Sequence, residues 1–191
     1  MKFYLVRHCS TSWNKHGYLS FTDIPLSEKG EKEARSVANL MKNLEFEKII
    51  TSPLSRARKT ADFISEITQR DVIENDALKE VNFGIFEGLS REEARKKYPE
   101  IFERREKDKW NFRIPEGESY SDALNRLLPL LSKLIKDGRP VVLVTHATII
   151  KIIIKHLTHK LLDEIEKMYF KPGCVIEVEK ANEKWKIKLL N

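Results

Sequence analysis

Two short apolar runs, Phe3-Tyr4-Leu5-Val6 and Val141-Val142-Leu143-Val144, each end abruptly in polar chemistry: Arg7-His8 after the first and Thr145-His146 after the second. Neither run alternates apolar with polar residues, so each reads as a buried strand emerging at a sheet edge. A chain with two such strands has to bury both behind other elements, and each strand delivers a histidine at its carboxyl end.

The rest of the chain supplies those elements. Ser27 is placed to cap a helix whose stripe Ala34, Val37, Ala38 and Met41 has the spacing of one helical face. Residues Glu47 to Thr51 read as a second strand. Ser52-Pro53 reads as a helix start, with an N-cap hydroxyl and a proline at the first helical position, and Ala57, Ala61 and Ile64 continue as its buried stripe. A strand is expected over Asp71 to Glu74, an irregular stretch followed by a charged helix over Glu80 to Tyr98, and a helix kinked by Pro129 from about Ser121 to Lys136. The isoleucine-rich segment from Ala147 to Leu157 has the length of a helix. Val175 to Glu179 and Trp185 to Leu189 flank Ala181-Asn182-Glu183 as a hairpin. Strands alternating with helices predict one domain over residues 1–191, a three-layer α/β/α sandwich with a largely parallel central sheet, helices on both faces and a C-terminal hairpin.

Composition narrows the functional classes. With 41% hydrophobic and 34% charged residues over 191, the chain has a globular balance. The longest apolar stretch, Val141 to Ile154, is interrupted by His146 and Lys151, so no membrane span is expected. The N-terminal run meets polar residues too early for a signal peptide, and Cys9 and Cys174 have no paired spacing. A cytoplasmic protein without a disulfide or a structural metal is expected. The net charge of +6 is spread among alternating Lys, Arg and Glu, as in Glu28-Lys29-Gly30-Glu31-Lys32-Glu33, which argues against a nucleic-acid partner and for a small anion drawn in by local positive potential. A homodimer is compatible with all of this.

In open α/β sheets, ligands bind beyond the carboxyl ends of the strands, which is where Arg7, His8 and His146 fall. Arg56 lies in a helix's first turn, where a cation opposes the helix dipole unless an anion lies between them. Two arginines, two histidines and a helix N-terminus together describe a phosphate pocket. Singly they describe much less: a histidine after a strand is usually structural, and Glu80 is one of 29 acids.

The segment Arg7-His8-Cys9-Ser10-Thr11-Ser12-Trp13-Asn14 resembles the signature of the histidine phosphatase superfamily, also called phosphoglycerate mutase-like. Ser52 to Ala61 is similar to its second arginine motif and Leu78 to Gly88 to its acid-bearing stretch, while Gly117-Glu118-Ser119 and Val141 to His146 complete an ordered set covering nearly the whole chain. Two positions depart from the pattern: Cys9 stands where glycine is usual, and Ser10 where an acid is frequent. Cys9 is read as a small apolar core residue in preference to a redox group.

The resemblance implies that His8 is the nucleophile, that Arg7, Arg56 and His146 bind the phosphoryl oxygens, and that Glu80 is the proton donor. Asn14 resembles a further phosphate ligand, and Thr11 and Ser20 are expected to line the pocket. Residues 80–119 are expected to form a cap-like insertion, with Arg91, Arg104, Arg105, Trp110 and Phe112 as candidate selectors of substrate. The activity so implied is that of a phosphomonoesterase acting on a small anionic phosphomonoester with no metal or organic cofactor, in the manner of α-ribazole phosphatase or the metal-independent phosphoserine phosphatases. A cofactor-dependent phosphoglycerate mutase and a non-catalytic phospholigand-binding protein are the alternatives.

Overall fold

The computed structural model describes residues 1–13 and 18–191. Strands β1 (Lys2–Arg7), β2 (Ile49–Thr51), β3 (Val72–Glu74), β4 (Val141–Thr145), β5 (Val175–Ala181) and β6 (Lys184–Leu189) form one sheet in the order β3-β2-β4-β1-β5-β6. The first four run parallel to one another, and the β5–β6 hairpin adds an antiparallel edge beside β1. The hairpin turns through Asn182 and Glu183, both at positive φ, the backbone that the twist of a two-residue hairpin turn requires.

The continuous apolar runs are explained by the layers above and below them. Successive side chains of a strand point to opposite faces. Phe3 and Leu5 of β1, with Val141 and Leu143 of β4, join a core cluster with Leu127 and Leu131 of α5 (Tyr120–Asp137) and Ile150 and Ile153 of α6 (Ala147–Thr158). Tyr4, Val6, Val142 and Val144 join a second cluster with Ala34 and Val37 of α1 (Glu28–Met41) and Ala57 and Ala61 of α2 (Ser55–Thr68). Both faces are therefore dry, and no polar alternation is tolerated. Burial also settles the isoleucine-rich segment: an isoleucine costs roughly 0.5 kcal/mol of helix propensity against alanine, whereas burying it yields about 2–3 kcal/mol. Ile149, Ile150, Ile152, Ile153 and Ile154 are all buried in α6.

Residues 80–119 leave this frame as a tight turn at Gly84–Phe86 followed by α3 (Arg91–Lys97) and α4 (Pro99–Lys107), and α7 (Leu162–Glu166) lies between α6 and β5. The α2 start differs from the sequence expectation. Helical geometry begins at Ser55 with Leu54 as the uncapped N-cap, and Ser52 is not the cap. The Ser55 backbone N–H is instead met by Asp23 Oδ1 at 2.6 Å, which leaves Ser52 available to the site. Pro129 lies inside α5 as expected.

α1, which follows β1, packs on one face of the sheet, while α6, which follows the adjacent β4, packs on the other. Such a reversal between neighbouring parallel strands opens a crevice at their carboxyl ends. Arg7 pairs in register with Thr145, and the His8 N–H donates to the Thr145 carbonyl at 2.9 Å, so the two histidine-bearing strand ends meet at that crevice.

Candidate active site

His8 is held by its own backbone. Its Nδ1 lies 2.8 Å from the Cys9 carbonyl oxygen, which can only accept, so Nδ1 carries the proton and Nε2 the lone pair. The ring is buried, and its pKa is held well below 6.5 by that burial first and by Arg7 and Arg56 second. The neutral state is thus set more by desolvation than by the nearby cations. The rings of His8 and His146 are 5.1 Å apart at 54°. His146 is fully buried, its Nε2 lies 2.9 Å from Ser52 Oγ, and its pKa is likewise well below 6.5, through burial, Arg56, His8 and Arg7.

Both arginines are anchored by main-chain carbonyls. Arg7 Nη1 donates to Phe170 O at 2.6 Å, while Arg56 donates from Nη1 to Thr22 O at 2.8 Å and from Nη2 to Ser20 O at 3.1 Å. Burial lowers the pKa of each guanidinium. Among the described residues, Arg7 Nε and His146 Nδ1 are buried side-chain donors or acceptors with no protein partner. Leaving such groups unpaired costs roughly 1–3 kcal/mol each, so they are suited to a ligand's oxygens.

Glu80 is 8% exposed, with Oε1 accepting from the Val81 N–H at 3.0 Å and Oε2 from the Thr148 N–H at 3.4 Å. Burial raises its pKa against the opposing pull of those N–H groups and of Arg56 and Arg7. A carboxyl in this setting can hold a proton. A cavity of about 400 Å³ joins these groups, lined by Arg7, His8, Thr11, Ser20, Arg56, Glu80 and Arg91. Its other walls are mainly aromatic and aliphatic, from Trp13, Tyr18, Leu19, Ile24, Phe83 and Tyr169. Among the described residues, no group of three or more His, Cys, Asp or Glu side chains is placed to hold a metal ion, and no helix is long and apolar enough to cross a membrane.

Most of the residues singled out in the sequence meet here. Arg7, His8, Thr11, Ser20, Arg56, Glu80 and Arg91 line one cavity, and the buried His146 ring adjoins that of His8 without being part of that lining. Asn14 lies outside the described residues. Four of the five candidate selectors do not line it. Arg105 is buried against Glu106, Phe83 and Tyr120; Arg104 stacks on Phe112, itself one of the four; and Trp110 packs edge-on to Tyr120. Arg91 reaches the cavity while paired with Glu106 at 2.5 Å. Sequence reasoning missed Ser52 as the partner of His146, because its place before proline gave it a sufficient role as a cap. It missed Tyr169 and Thr148 altogether, since no local signal marks a residue that only the crevice gathers in.

The histidine phosphatase superfamily (branch 1) model matches residues 3–191, and the chain belongs to this superfamily. Its relatives carry phosphatase and mutase names. PhoE of Bacillus subtilis, an uncharacterized phosphatase, is 32% identical over 190 residues, 98% of this chain and 92% of that protein. A 2,3-bisphosphoglycerate-dependent phosphoglycerate mutase 2 of Gloeobacter violaceus is 34% identical over 172 residues, 86% of this chain and 78% of that one. The α-ribazole phosphatase of Shigella flexneri superposes with a TM-score of 0.86 over 100% of this chain and 96% of its own, at 22% identity, a likeness of fold alone.

Proposed function

We propose that this chain is a phosphomonoesterase that hydrolyses a small phosphorylated metabolite through a phosphohistidine on His8. The observation that carries the reading is the His8 ring, with Nδ1–H committed to the Cys9 carbonyl and an unprotonated Nε2 beside two buried arginines. Nε2 attacks phosphorus, the bond from phosphorus to the ester oxygen breaks, and that oxygen takes the proton of Glu80. Glu80, now a carboxylate, then removes a proton from water as the water attacks the phosphoryl group on His8, which releases inorganic phosphate and restores both residues. Arg7, Arg56 and His146 Nδ1 bind the phosphoryl oxygens, with Thr11, Ser20 and Asn14 as further pocket residues. Charge stabilisation and positioning carry most of phosphoryl transfer, and here buried guanidiniums provide both without a metal or organic cofactor.

The mutase relative supports a second reading, in which the phosphoryl group returns to the substrate. Holding a phosphorylated acid through that exchange calls for cations beside the phosphate site. Arg104 and Arg105 are engaged with Phe112 and with Glu106, Phe83 and Tyr120, which leaves Arg91 as the arginine of α3 and α4 that lines the cavity. This favours hydrolysis. The test incubates the protein, and a His8→Ala variant, with a chromogenic phosphomonoester, and separately with 3-phosphoglycerate plus catalytic 2,3-bisphosphoglycerate. Phosphate release that is lost in His8→Ala, without isomerisation, is the expected result. Rapid formation of 2-phosphoglycerate with negligible phosphate release would establish the mutase.

A further inference from the structure

The mechanism above gives no task to Gly117-Glu118-Ser119, yet Gly117 and Glu118 meet the backbone just after Glu80, and Ser119 caps the helix that carries Arg126. Arg126, on the second turn of α5, donates from Nη1 to Ala77 O at 2.5 Å and from Nη2 to Lys79 O at 2.8 Å and Glu80 O at 3.1 Å. The same guanidinium grips the Glu118 carboxylate, Nε at 2.9 Å and Nη2 at 3.2 Å. Glu118 in turn holds the other side of Glu80: its Oε2 accepts from the Asn82 N–H at 3.1 Å, and its own N–H donates to Asn82 O at 2.8 Å. One ion pair thus ties down residues 77, 79, 80 and 82.

The neighbouring motif residues make that grip possible. A Cβ at Gly117 would lie 2.5 Å from Asn82 O and 2.8 Å from Gly84 N, so only glycine lets the two segments come this close. Ser119 caps α5 reciprocally with Asp122, which fixes the helix that aims Arg126 at the carbonyls. Among the described residues, the Glu80 carboxyl accepts hydrogen bonds from two backbone N–H groups, one of them its sequence neighbour's, so its direction follows the main chain on either side.

We propose that Glu118 and Arg126 are positioning residues that hold the Glu80 carboxyl at the height of the ester oxygen; the role rests on the reading of Glu80 as proton donor. Neither residue lines the cavity. Loosening the pair should therefore weaken proton delivery and leave phosphate binding and attack by His8 largely intact. An aryl ester, whose leaving group needs little protonation, separates these effects from a general loss of structure.

The experiment compares Glu118→Gln and Arg126→Lys, alone and combined with Glu80→Gln, on 4-nitrophenyl phosphate and on an alkyl phosphomonoester that the unsubstituted protein turns over, with thermal unfolding followed for each variant. The expected result is a fall in kcat of about 10-fold or more on the alkyl ester and of less than about 3-fold on the aryl ester, with KM little changed. In the Glu80→Gln background, either second substitution should cost less than about 2-fold, because the group it positions is already gone. Equal losses on both esters, multiplicative losses in that background, unchanged kinetics, or failure of both variants to fold would each overturn the positioning role. If the unsubstituted protein releases no phosphate from any ester, the functional reading fails first and the positioning role fails with it.

Discussion

Cys9 stands next to the proposed nucleophile and yet faces away from it. Its backbone N–H donates to Thr60 Oγ1 at 3.2 Å, and its side chain is fully buried with Val37 in the core beneath α1 and α2. A Cβ placed on Gly173 would lie 3.3 Å from Cys9 Sγ, so the sulfur already fills the space over that glycine. Burial pushes the thiol up to about 12, against an ordinary value of 9.0. A thiol buried in this way is held in its protonated form, which is the poor nucleophile of the pair. The apolar core reading stands, and a redox role for an exposed thiol does not. Iodoacetamide at neutral pH should leave the native protein unlabelled at Cys9 and fully active, with labelling appearing only on unfolding. Fast labelling with loss of activity, blocked by phosphate, would contradict this. Residue identity alone could not have decided the matter, because the same cysteine beside Arg7 would be acidic if it faced the crevice.

The start of α1 shows how an element serves the site from outside it. Ser27 N and Oγ both donate to the Ser10 carbonyl, and Ser10 N and Oγ both donate to the Glu33 carboxylate, so the helix clasps the loop that follows His8. Ser10, where an acid is frequent in the family, is thereby engaged as a donor. Gly30 sits in the first turn of α1, where exchanging glycine for alanine ordinarily stabilises a helix by about 1 kcal/mol. Here the sign reverses, because a Cβ would run into the Ser10 peptide, 2.9 Å from its carbonyl carbon and 3.1 Å from its nitrogen. Gly30→Ala should destabilise the protein by roughly 1–3 kcal/mol, a Tm fall of about 2–10 °C, and should also lower turnover by shifting the loop beside His8. A raised Tm in a scanning measurement would show that the clasp yields freely. The stripe of α1 and its Ser27 cap were legible because helical spacing is a local property. The start of α2 was misplaced because Ser52, a good cap by type, is taken by His146.

Across the whole molecule, the site's buried histidines couple stability to pH. His8 and His146 keep folded pKa values well below 6.5, and burial shifts His156 in the same direction. The unfolded chain therefore takes up protons below about pH 6.5 that the native state does not, and stability falls as pH drops through that window. Glu80 has the opposite sign: its raised pKa means that the native state keeps a proton the unfolded chain loses above 4.5, a contribution lost as pH rises through the folded value. One carboxyl opposes the histidines, and each proton is worth about 1.4 kcal/mol per pH unit, so the net effect on acidification is a loss. Denaturant unfolding at about pH 7 and about pH 5.5 should show a fall on the order of 1–2 kcal/mol, reduced by about half in His146→Asn, and stability that is flat or rising would be the opposite of this. The sequence by itself determined the α/β layering, since apolar runs without alternation must be buried on both faces, and it marked Arg7, His8, Arg56 and His146, since strand ends and helix starts are local features. Only the tertiary structure decided that the Glu80 carboxyl is buried against the Val81 and Thr148 N–H groups, that Ser52 meets His146, that Arg126 grips the carbonyls of residues 77, 79 and 80, and that the arginines of α4 turn away from the cavity. Those outcomes depend on which segments burial brings side by side, and desolvation and hydrogen bonding act only between groups that have already met.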